Sequence, residues 1–268
     1  MVFSKTIPTD EVLRHNYGNY PRIHGISETT KKRFQEILDK LEPYRKTNKM
    51  LDVGCGEGFF LVEALKRGWD VYGTEFNPAY IEDGKKKGIR MFAGKIGSIE
   101  FEHSFFDVII SIEVLEHLQQ PAADILQFNK LLREGGAVYV TTPNFNALSR
   151  RMLGAHWSII SYPDHLCYFT SATLNFLMKT HGFNNLYIKT EGISIDRISQ
   201  FLRNKKTAVT TTENRTVRSL DQHLQEKFEN RYFLRIMKKI INRVLTFTGS
   251  GDGIKALFIK TKSITIPE

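Results

Sequence analysis

The sequence has few cysteines and no long hydrophobic run. Cys55 and Cys167 are the only cysteines among its 268 residues, and two cysteines do not make the disulfide framework of a small secreted domain. No apolar stretch approaches the roughly 20 residues of a membrane-spanning helix. Residues 1–10 lack the apolar core of a signal peptide. These absences disfavour a secreted or membrane-spanning protein and predict a cytoplasmic one.

Basic residues outnumber acidic ones. The formal net charge is +9, which would suit an anionic partner, an acidic substrate or a membrane surface. An ordinary lysine-rich, solvated surface produces the same excess. The charge alone therefore leaves the partner open.

Segments of strand and helix character alternate along most of the chain. The pattern predicts strands at 49–53, 70–74, 89–92, 106–112, 137–142, 185–191 and 254–262, and helices at 28–45, 58–67, 78–87, 121–133 and 171–181. This alternation is typical of an α/β fold with a parallel sheet. We expect an N-terminal cap segment at 1–27, a domain formed by 28–192 and 251–268, and a helical insertion at 193–250.

The turn after the first predicted strand carries the strongest functional signal. Residues 50–60 read MLDVGCGEGFF, and their glycines permit positive φ and the close approach of a ligand. Doubly wound sheets bind nucleotide-like cofactors at such turns. The segment lacks the Gly-Lys-Ser/Thr of a P-loop, and its G-x-G-x-G spacing differs from the dinucleotide fingerprint G-x-G-x-x-G. The carboxylate of Asp52 would repel a pyrophosphate but would attract a positively charged ligand.

Glu75 stands at the end of the second predicted strand, about 20 residues after the glycine turn. A carboxylate in this place can accept hydrogen bonds from both ribose hydroxyls of a nucleoside. Phe76 follows it and could stack on an adenine, or it could be a core aromatic. Asn77 completes this group of candidate ligand contacts.

These segments, together with 93–96, 106–118, 132–144 and 164–169, resemble class I S-adenosylmethionine-dependent methyltransferases. Within that family they look like the branch that contains the ubiquinone-biosynthesis O-methyltransferases and many sugar and natural-product methyltransferases. The resemblance covers roughly residues 30–192 and the last strand. It implies a Rossmann-like fold: a seven-stranded, mostly parallel sheet with helices on both faces and an antiparallel last strand. It also implies S-adenosylmethionine as the cofactor.

The resemblance assigns the cofactor contacts to the carboxyl ends of the first four strands. The residues are Asp52, Gly54, Cys55, Gly56, Gly58, Glu75, Phe76, Asn77, Ile96, Ser111, Ile112 and Glu113. One position departs from the family pattern, because Lys95 replaces the aspartate that usually bonds the adenine amino group. A lysine only donates hydrogen bonds, so the backbone of Ile96 is expected to serve instead.

A second cluster, Glu113-x-x-Glu116-His117, offers two carboxylates and an imidazole. On a helix these positions would share one face, and His165 could approach from the loop after the fifth strand. The resemblance implies a metal, because the ubiquinone enzymes and the small-RNA 2′-O-methyltransferases have a similar group implicated in metal binding. Mg²⁺ or another divalent cation would lower the pKa of an acceptor hydroxyl. The alternative is that these residues only make local bonds at the start of a helix.

Without a metal, His165 or His117 is the natural general base, because histidine titrates near neutral pH. His165 is the preferred one, since it lies in an aromatic loop over the carboxyl edge of the sheet. The acceptor pocket could be lined by aromatic residues, or these could have a core or lid role: Tyr17, Tyr20, Trp157, Tyr162 and Tyr168.

The sequence therefore predicts methyl transfer to oxygen on a small molecule or sugar. One alternative is an RNA 2′-O-methyltransferase, which the absence of a recognisable aromatic-rich RNA-binding domain disfavours. Another is a cofactor-binding protein without activity, which Lys95 alone supports. A nicotinamide dehydrogenase is disfavoured by the glycine spacing.

The segment 221–247 has helical periodicity with interleaved basic residues. It predicts an acceptor-site lid or a dimer contact, and the alternative is a helix that lies on an anionic membrane. The protein would then be a monomer or a homodimer, with a peripheral membrane contact as the second possibility.

Overall fold

The computed structural model describes residues 1–9, 12, 25–194 and 232–261. Its strands are β1 Val2–Phe3, β2 Lys49–Val53, β3 Asp70–Glu75, β4 Arg90–Ala93, β5 Phe106–Ile112, β6 Leu132–Pro143, β7 Cys167–Tyr168, β8 Phe183–Glu191 and β9 Gly253–Lys260. Its α-helices are α1 Glu28–Leu41, α2 Phe59–Lys66, α3 Pro78–Lys86, α4 Pro121–Leu131, α5 Leu148–Leu153, α6 Ser171–Thr180 and α7 Tyr232–Thr248. The predicted elements are all present, mostly with ends shifted by one or two residues.

Seven strands form one sheet in the order β4-β3-β2-β5-β6-β9-β8. The first five of these strands are mutually parallel, whereas β9 runs antiparallel to both β6 and β8. The chain proceeds outward from β2 to β4 and then returns to β5 on the other side of β2. The carboxyl ends of β2 and β5 therefore flank the point where the strand order reverses, which is where open α/β sheets bind ligands. The seven-stranded α/β fold predicted from the sequence is confirmed.

Two hydrophobic clusters cover the two faces of this sheet. Along β2, Met50 packs with residues of α1, α2 and α3, whereas Leu51 and Val53 pack with residues of α4 and α6. This alternation follows from the two-residue period of a strand. Because both faces are buried, β2 and β5 read as near-continuous apolar runs.

Short polar caps set where several helices begin. The Ser27 hydroxyl accepts a hydrogen bond from Thr30 N at 3.2 Å at the start of α1, and Asn77 caps α3, with Pro78 in the first turn. The predicted helix 28–45 is too long, because α1 ends at Leu41 and a 3₁₀ turn that contains Pro43 follows. Proline lacks the N–H that would continue the α-helical hydrogen bonds.

The boundary between α4 and β6 also differs from the prediction. The helix was predicted over 121–133 and the next strand from 137, but α4 ends at Leu131 and β6 pairs with β5 from Leu132 onward, so that Gly135 and Gly136 lie inside the strand. A side chain at Gly136 would place its Cβ 2.7 Å from the carbonyl oxygen of Asp107. The glycine therefore serves the close approach of two strands.

Two outlying elements contact the rest of the described chain. β1, within the predicted N-terminal cap segment 1–27, pairs with β7. α7 lies against the end of β8, where Thr190 donates a hydrogen bond to Leu245 O at 2.7 Å. α7 falls within the predicted insertion, whereas 195–231 and most of 10–24 lie outside the described residues. Among the helices that the structure describes, none is both long and apolar enough to cross a bilayer.

Candidate active site

The glycine turn forms a tight connection between β2 and α2. Gly54, Gly56 and Gly58 have φ values of +68°, +55° and +72°, which L-residues with a side chain rarely adopt. Cys55 N donates to Thr74 O at 3.0 Å, and Gly58 N donates to Cys55 O at 3.0 Å. The turn is thereby fixed to β3 as well as to its own strand.

Two of these glycines differ in what surrounds them. A Cβ at Gly58 would lie 2.4 Å from Ile89 Cδ1, whereas a Cβ at Gly56 would meet nothing within 4 Å. A side chain at Gly58 would therefore have to displace the end of Ile89, whereas Gly56 borders open space at the carboxyl edge of the sheet. That space is where a ligand could approach the backbone.

The carboxylate of Glu75 connects this turn to the end of β3. Its Oε2 accepts a hydrogen bond from Gly56 N at 2.9 Å, and its Oε1 accepts from Phe76 N at 2.7 Å and from Asn77 N at 2.9 Å. A carboxylate has about four acceptor positions. Three backbone donors thus hold Glu75 in a defined orientation and leave capacity on Oε2 for a ligand hydroxyl.

Asp52 contributes a second carboxylate in the interior of the same region. The side chain is buried, and within the described part of the chain no hydrogen bond or ion pair engages its carboxylate. Burial and the nearby charge of Glu75 raise the pKa of Asp52 well above its usual value. A buried carboxylate next to the charge of Glu75 favours a positively charged ligand at this point.

The side chain of Lys95 contacts Gln119, whereas the aspartate of the family pattern would contact the adenine amino group. Its Nζ donates to Gln119 Oε1 at 2.5 Å, and Gln119 Nε2 in turn donates to Pro8 O at 2.7 Å. Ile96 follows in a short 3₁₀ turn and is buried. The departure at Lys95 therefore ties the β4 loop to the N-terminal segment.

The end of β5 places Ser111, Ile112 and Glu113 at the same edge of the sheet. The Ser111 hydroxyl is buried and has no hydrogen-bond partner among the described residues. Glu113 has φ +55°, its N donates to Thr141 O at 3.0 Å, and its Oε1 accepts from Thr141 Oγ1 at 2.7 Å. A non-glycine residue at positive φ is a form of strain that recurs at functional sites.

This geometry corrects the expectation that Glu113, Glu116 and His117 share one helical turn. Glu113 is still held by β6, and only Leu115–His117 form a 3₁₀ turn. As a result Glu113 is exposed at the sheet edge, whereas Glu116 is buried. Glu113 does not belong to the group of side chains that could hold a metal ion.

Glu116, His117 and His165 do come together. Each offers one ligand atom, and these atoms lie within 4.8 Å of one another. The two imidazole rings are 4.8 Å apart between centroids. The Thr142 hydroxyl donates to Glu116 Oε2 at 2.9 Å.

Backbone carbonyls orient both imidazoles. His117 Nδ1 lies 2.7 Å from Asp164 O, and His165 Nδ1 lies 2.7 Å from Ile159 O. A carbonyl only accepts, so each Nδ1 carries a proton and donates it to the carbonyl. In the neutral form of such a ring the lone pair is on Nε2. Second-shell bonds of this kind fix the tautomer of metal-bound or proton-accepting histidines.

Burial dominates the electrostatics of this group. It raises the pKa of Glu116 well above its usual range, and the charge of Glu113 adds to the effect. It lowers the pKa of His117 to about 4, with a further contribution from His165. His117 is therefore neutral near pH 7.

Several contributors to the site were not predicted. Thr141 and Thr142 hold the two glutamates, and the carbonyls of Ile159 and Asp164 orient the histidines. The Thr-Thr pair at the end of a predicted strand could have been noticed, but a carbonyl contact leaves no sequence signal. Trp157 and Tyr168 form a small buried cluster with Ala147 and Leu153, which favours the core interpretation of these aromatics.

Comparisons with known proteins agree with this geometry. The methyltransferase domain family matches residues 26–188. A ubiquinone biosynthesis O-methyltransferase of Pelagibacter ubique is 28% identical over 71% of this chain and 88% of its own length. A protein of the same name from Saccharophagus degradans is 32% identical over 48% of this chain and 56% of its own length.

Solved structures share the fold at low identity. A SAM-dependent methyltransferase from Archaeoglobus fulgidus superposes with a TM-score of 0.57 at 16% identity, covering 93% of this chain and 99% of that one. Phosphoethanolamine N-methyltransferase 2 of Haemonchus contortus, solved with S-adenosylmethionine, gives 0.55 at 17% identity over 86% and 53%. With the domain match, the strand order and the glycine turn, the chain belongs to the family of S-adenosylmethionine-dependent methyltransferases.

Proposed function

We propose that this methyltransferase transfers the methyl group to a hydroxyl oxygen of a small molecule or sugar. The observation that carries the proposal is the pair of carbonyl-oriented imidazoles, His117 and His165, at the carboxyl edge of the sheet. The curated relatives named above are O-methyltransferases by name. An acceptor hydroxyl needs a proton acceptor, and this pair supplies one.

The turn 54–58 and the two carboxylates fit the expected cofactor. S-adenosylmethionine, when bound, supplies a methyl group activated by a sulfonium, together with an amino group. Asp52 offers a buried carboxylate to that positive charge, and Glu75 offers Oε2 to a ribose hydroxyl. Gly56 leaves the space in which a ligand can approach the backbone. Phe76, Asn77 and Ile96 complete the proposed adenosine contacts.

The acceptor end is assigned to the histidine pair. A bound S-adenosylmethionine would supply the methyl group, and Nε2 of an imidazole would accept the proton of the acceptor hydroxyl. A base works best when its pKa lies near the working pH. Because the pKa of His117 is lowered to about 4, we assign the base to His165 and a positioning role to His117.

A divalent cation at Glu116, His117 and His165 is the alternative. One carboxylate oxygen and two Nε2 atoms suit a transition metal or zinc better than Mg²⁺, which prefers oxygen ligands. A cation held there would lower the pKa of an acceptor hydroxyl. Glu113, which was expected to join this set, lies outside it.

An acceptor panel tests the proposal. Calorimetry with S-adenosylhomocysteine and with NAD first establishes the cofactor, and we expect binding of the former alone. Methyl transfer is then measured with pairs of aromatic and sugar acceptors in which a hydroxyl is replaced by an amine. We expect methylation of the hydroxyl members only, and preferred methylation of the amines would overturn the proposal. Activity that survives chelation would exclude the metal alternative.

The role of 221–247 as a lid or dimer contact stays a proposal. The described helix α7 exposes Ile240, Val244 and Phe247, with Lys239 and Arg243 beside them. This pattern would also suit an anionic membrane. Co-sedimentation with anionic vesicles separates the two, because the lid or dimer interpretation predicts no pelleting.

A further inference from the structure

A cavity lies on the face of the sheet that α1 covers, separate from the Glu116–His117–His165 group. It has a volume of about 120 Å³ and is lined by residues of α1, β6, β8 and β9. Its apolar wall, Ile37 and Tyr139, belongs to the hydrophobic cluster of that face. Leu166 and Cys167, which follow His165, belong to the cluster of the opposite face. The cavity therefore does not form part of the proposed acceptor site.

Strand register brings the polar lining of this cavity together. Tyr139 and Tyr187 both pair with Leu257, and Lys189 pairs with Lys255 two residues further along. Residues two apart on a strand point to the same face. The two phenols and the two lysines therefore lie side by side under α1.

The lining carries an excess of positive charge. Four of its side chains are basic and two are acidic: Arg33, Lys40, Lys189 and Lys255 against Glu36 and Glu191. Lys255 pairs with Glu191 at 2.9 Å. Within the described residues, Arg33, Lys40 and Lys189 make no ion pair with a carboxylate. The excess of two positive charges equals the charge of a phosphate monoester dianion.

The cations converge on one phenol. Lys40 Nζ lies 5.6 Å and Lys189 Nζ 5.4 Å from the centroid of the Tyr187 ring. The Tyr187 hydroxyl is buried and has no hydrogen-bond partner among the described residues. A buried hydroxyl without a partner costs free energy unless a bound group satisfies it.

Both phenols are donors near neutral pH. Burial and the charge of Glu191 raise the pKa of Tyr187 to about 12, and burial raises the pKa of Tyr139 further from neutrality. A protonated phenol donates its hydrogen bond to an anion. The phenols and the surrounding cations therefore favour the same kind of ligand.

We propose that this cavity binds a phosphate group, with Arg33, Lys40 and Lys189 supplying charge and Tyr187 donating a hydrogen bond. The volume accommodates at least one such group, since about 10–15 Å³ of such cavity volume holds one water. The phosphate is either free or carried as a monoester by a small molecule that reaches the cavity from the protein surface. The inference does not depend on the methyl acceptor.

Calorimetric titration of the full-length protein with inorganic phosphate and with phenyl phosphate, at constant ionic strength, tests the site. We expect saturable binding of at least one probe. Tighter binding of phenyl phosphate would identify a monoester as the ligand, and equal or tighter binding of inorganic phosphate would identify the free ion. The absence of saturable binding by both probes would overturn the proposal.

Two variants and a charge-matched control locate the binding. Tyr187→Phe keeps the ring but removes the donor, and we expect about tenfold weaker phosphate binding. The double variant Lys40→Gln/Lys189→Gln should weaken it by at least that factor. The control Lys32→Gln/Lys179→Gln removes the same charge at exposed positions outside the cavity. Equal weakening by this control would show that surface charge, not the cavity, holds the anion.

Binding of S-adenosylhomocysteine provides the check on folding. None of the substituted residues belongs to the proposed cofactor site, so its affinity should be unchanged in every variant. Because the readout is phosphate binding, failure of this proposal and failure of the proposed methyl transfer to oxygen can be told apart.

Discussion

The two halves of the sheet's carboxyl edge are built in different ways. The cofactor half consists of the turn 54–58 and Glu75, whose carboxylate accepts a hydrogen bond from Gly56 N, 19 residues earlier in the chain. The histidine half joins His117 to a loop 47 residues away. The first is a local motif with a recognisable sequence, whereas the second exists only after the sheet and the loop before β7 have assembled.

The halves also differ in how their charges are held. Glu75 accepts three backbone hydrogen bonds, so its charge is already stabilised without a ligand. Glu116 is buried with one hydroxyl donor at 2.9 Å, and burial raises its pKa. A preorganised carboxylate suits a ligand that is bound in every turnover, and a buried acid beside two imidazoles suits proton transfer or metal binding.

The largest expected effect concerns the histidine half. Removing the imidazole in His165→Asn removes the proposed proton acceptor, and we expect methyl transfer to fall about 10²- to 10⁴-fold. Initial rates with the preferred hydroxyl acceptor measure it. The affinity for S-adenosylhomocysteine should stay within about twofold of the wild-type value, since the two halves of the edge are separate. The control His103→Asn alters an exposed histidine, and a wild-type rate for His165→Asn would contradict the assignment.

The next effect concerns the cofactor half. In Glu75→Gln an amide nitrogen replaces one of the oxygens that accept backbone bonds, and the charge is lost. Hydrogen bonds to charged groups contribute about 1.5–3 kcal/mol, so calorimetry should show S-adenosylhomocysteine binding weakened by about 10- to 100-fold. Glu82→Gln, on the exposed face of α3, is the matched control. An affinity change equal to that of the control would remove Glu75 from the site.

Two glycine substitutions in the same turn are expected to have different effects, one mainly on the free energy of unfolding and the other mainly on ligand binding. Gly58→Ala strains a backbone with φ +72° and meets Ile89 at 2.4 Å, so we expect a loss of about 2–3 kcal/mol in the free energy of unfolding. Gly56→Ala adds only backbone strain, about 1 kcal/mol, but places a methyl group where the ligand would lie. Urea denaturation and calorimetry measure the two quantities. Equal effects of both variants on both quantities would contradict this division.

The smallest effect is a pH-dependent change in stability at Asp52. Its pKa is raised in the folded protein, so the folded state holds a proton that the unfolded chain releases as pH rises above the ordinary value of 3.8. Stability of the ligand-free protein then falls with rising pH. Asp52→Asn has no such loss and should melt higher than wild type at pH 8, by roughly 2–4 °C for each kcal/mol.

The same variant should bind S-adenosylhomocysteine more weakly, because the carboxylate that faces the amino group is gone. Melting curves at pH 4 provide the control, since the stability difference should disappear there. A lower melting temperature for Asp52→Asn at pH 8 would show that the carboxylate is compensated in the folded protein.

The sequence predicted the fold well because periodicity and turns are local properties. The alternation of β2, α2, β3 and α3 was predicted from the strand and helix character of successive segments. Where two strands approach closely, prediction was less accurate: the helix predicted over 121–133 ends at Leu131, and Gly136 lies in β6 close to Asp107. A contact between segments has no local signature.

The candidate site shows the same limit. Asp52, the glycine turn and Glu75 were identified because they follow strands in order along the chain. The helical grouping of Glu113 with Glu116 was wrong, because Glu113 N bonds to Thr141 O and keeps the chain in the sheet. No pattern in the residues around 113 indicates what β6 does there.

The sequence by itself determined the family, the sheet and the place of the cofactor turn, because strand period, glycine spacing and the acid after the second strand act over short stretches of chain. Only the tertiary structure decided that His117 and His165 meet, that both are oriented by carbonyls, and that α1 covers a basic cavity with a buried phenol. These features depend on desolvation and on distances between remote segments. Burial lowers the pKa of His117 and raises that of Tyr187, and burial is a property of the assembled fold.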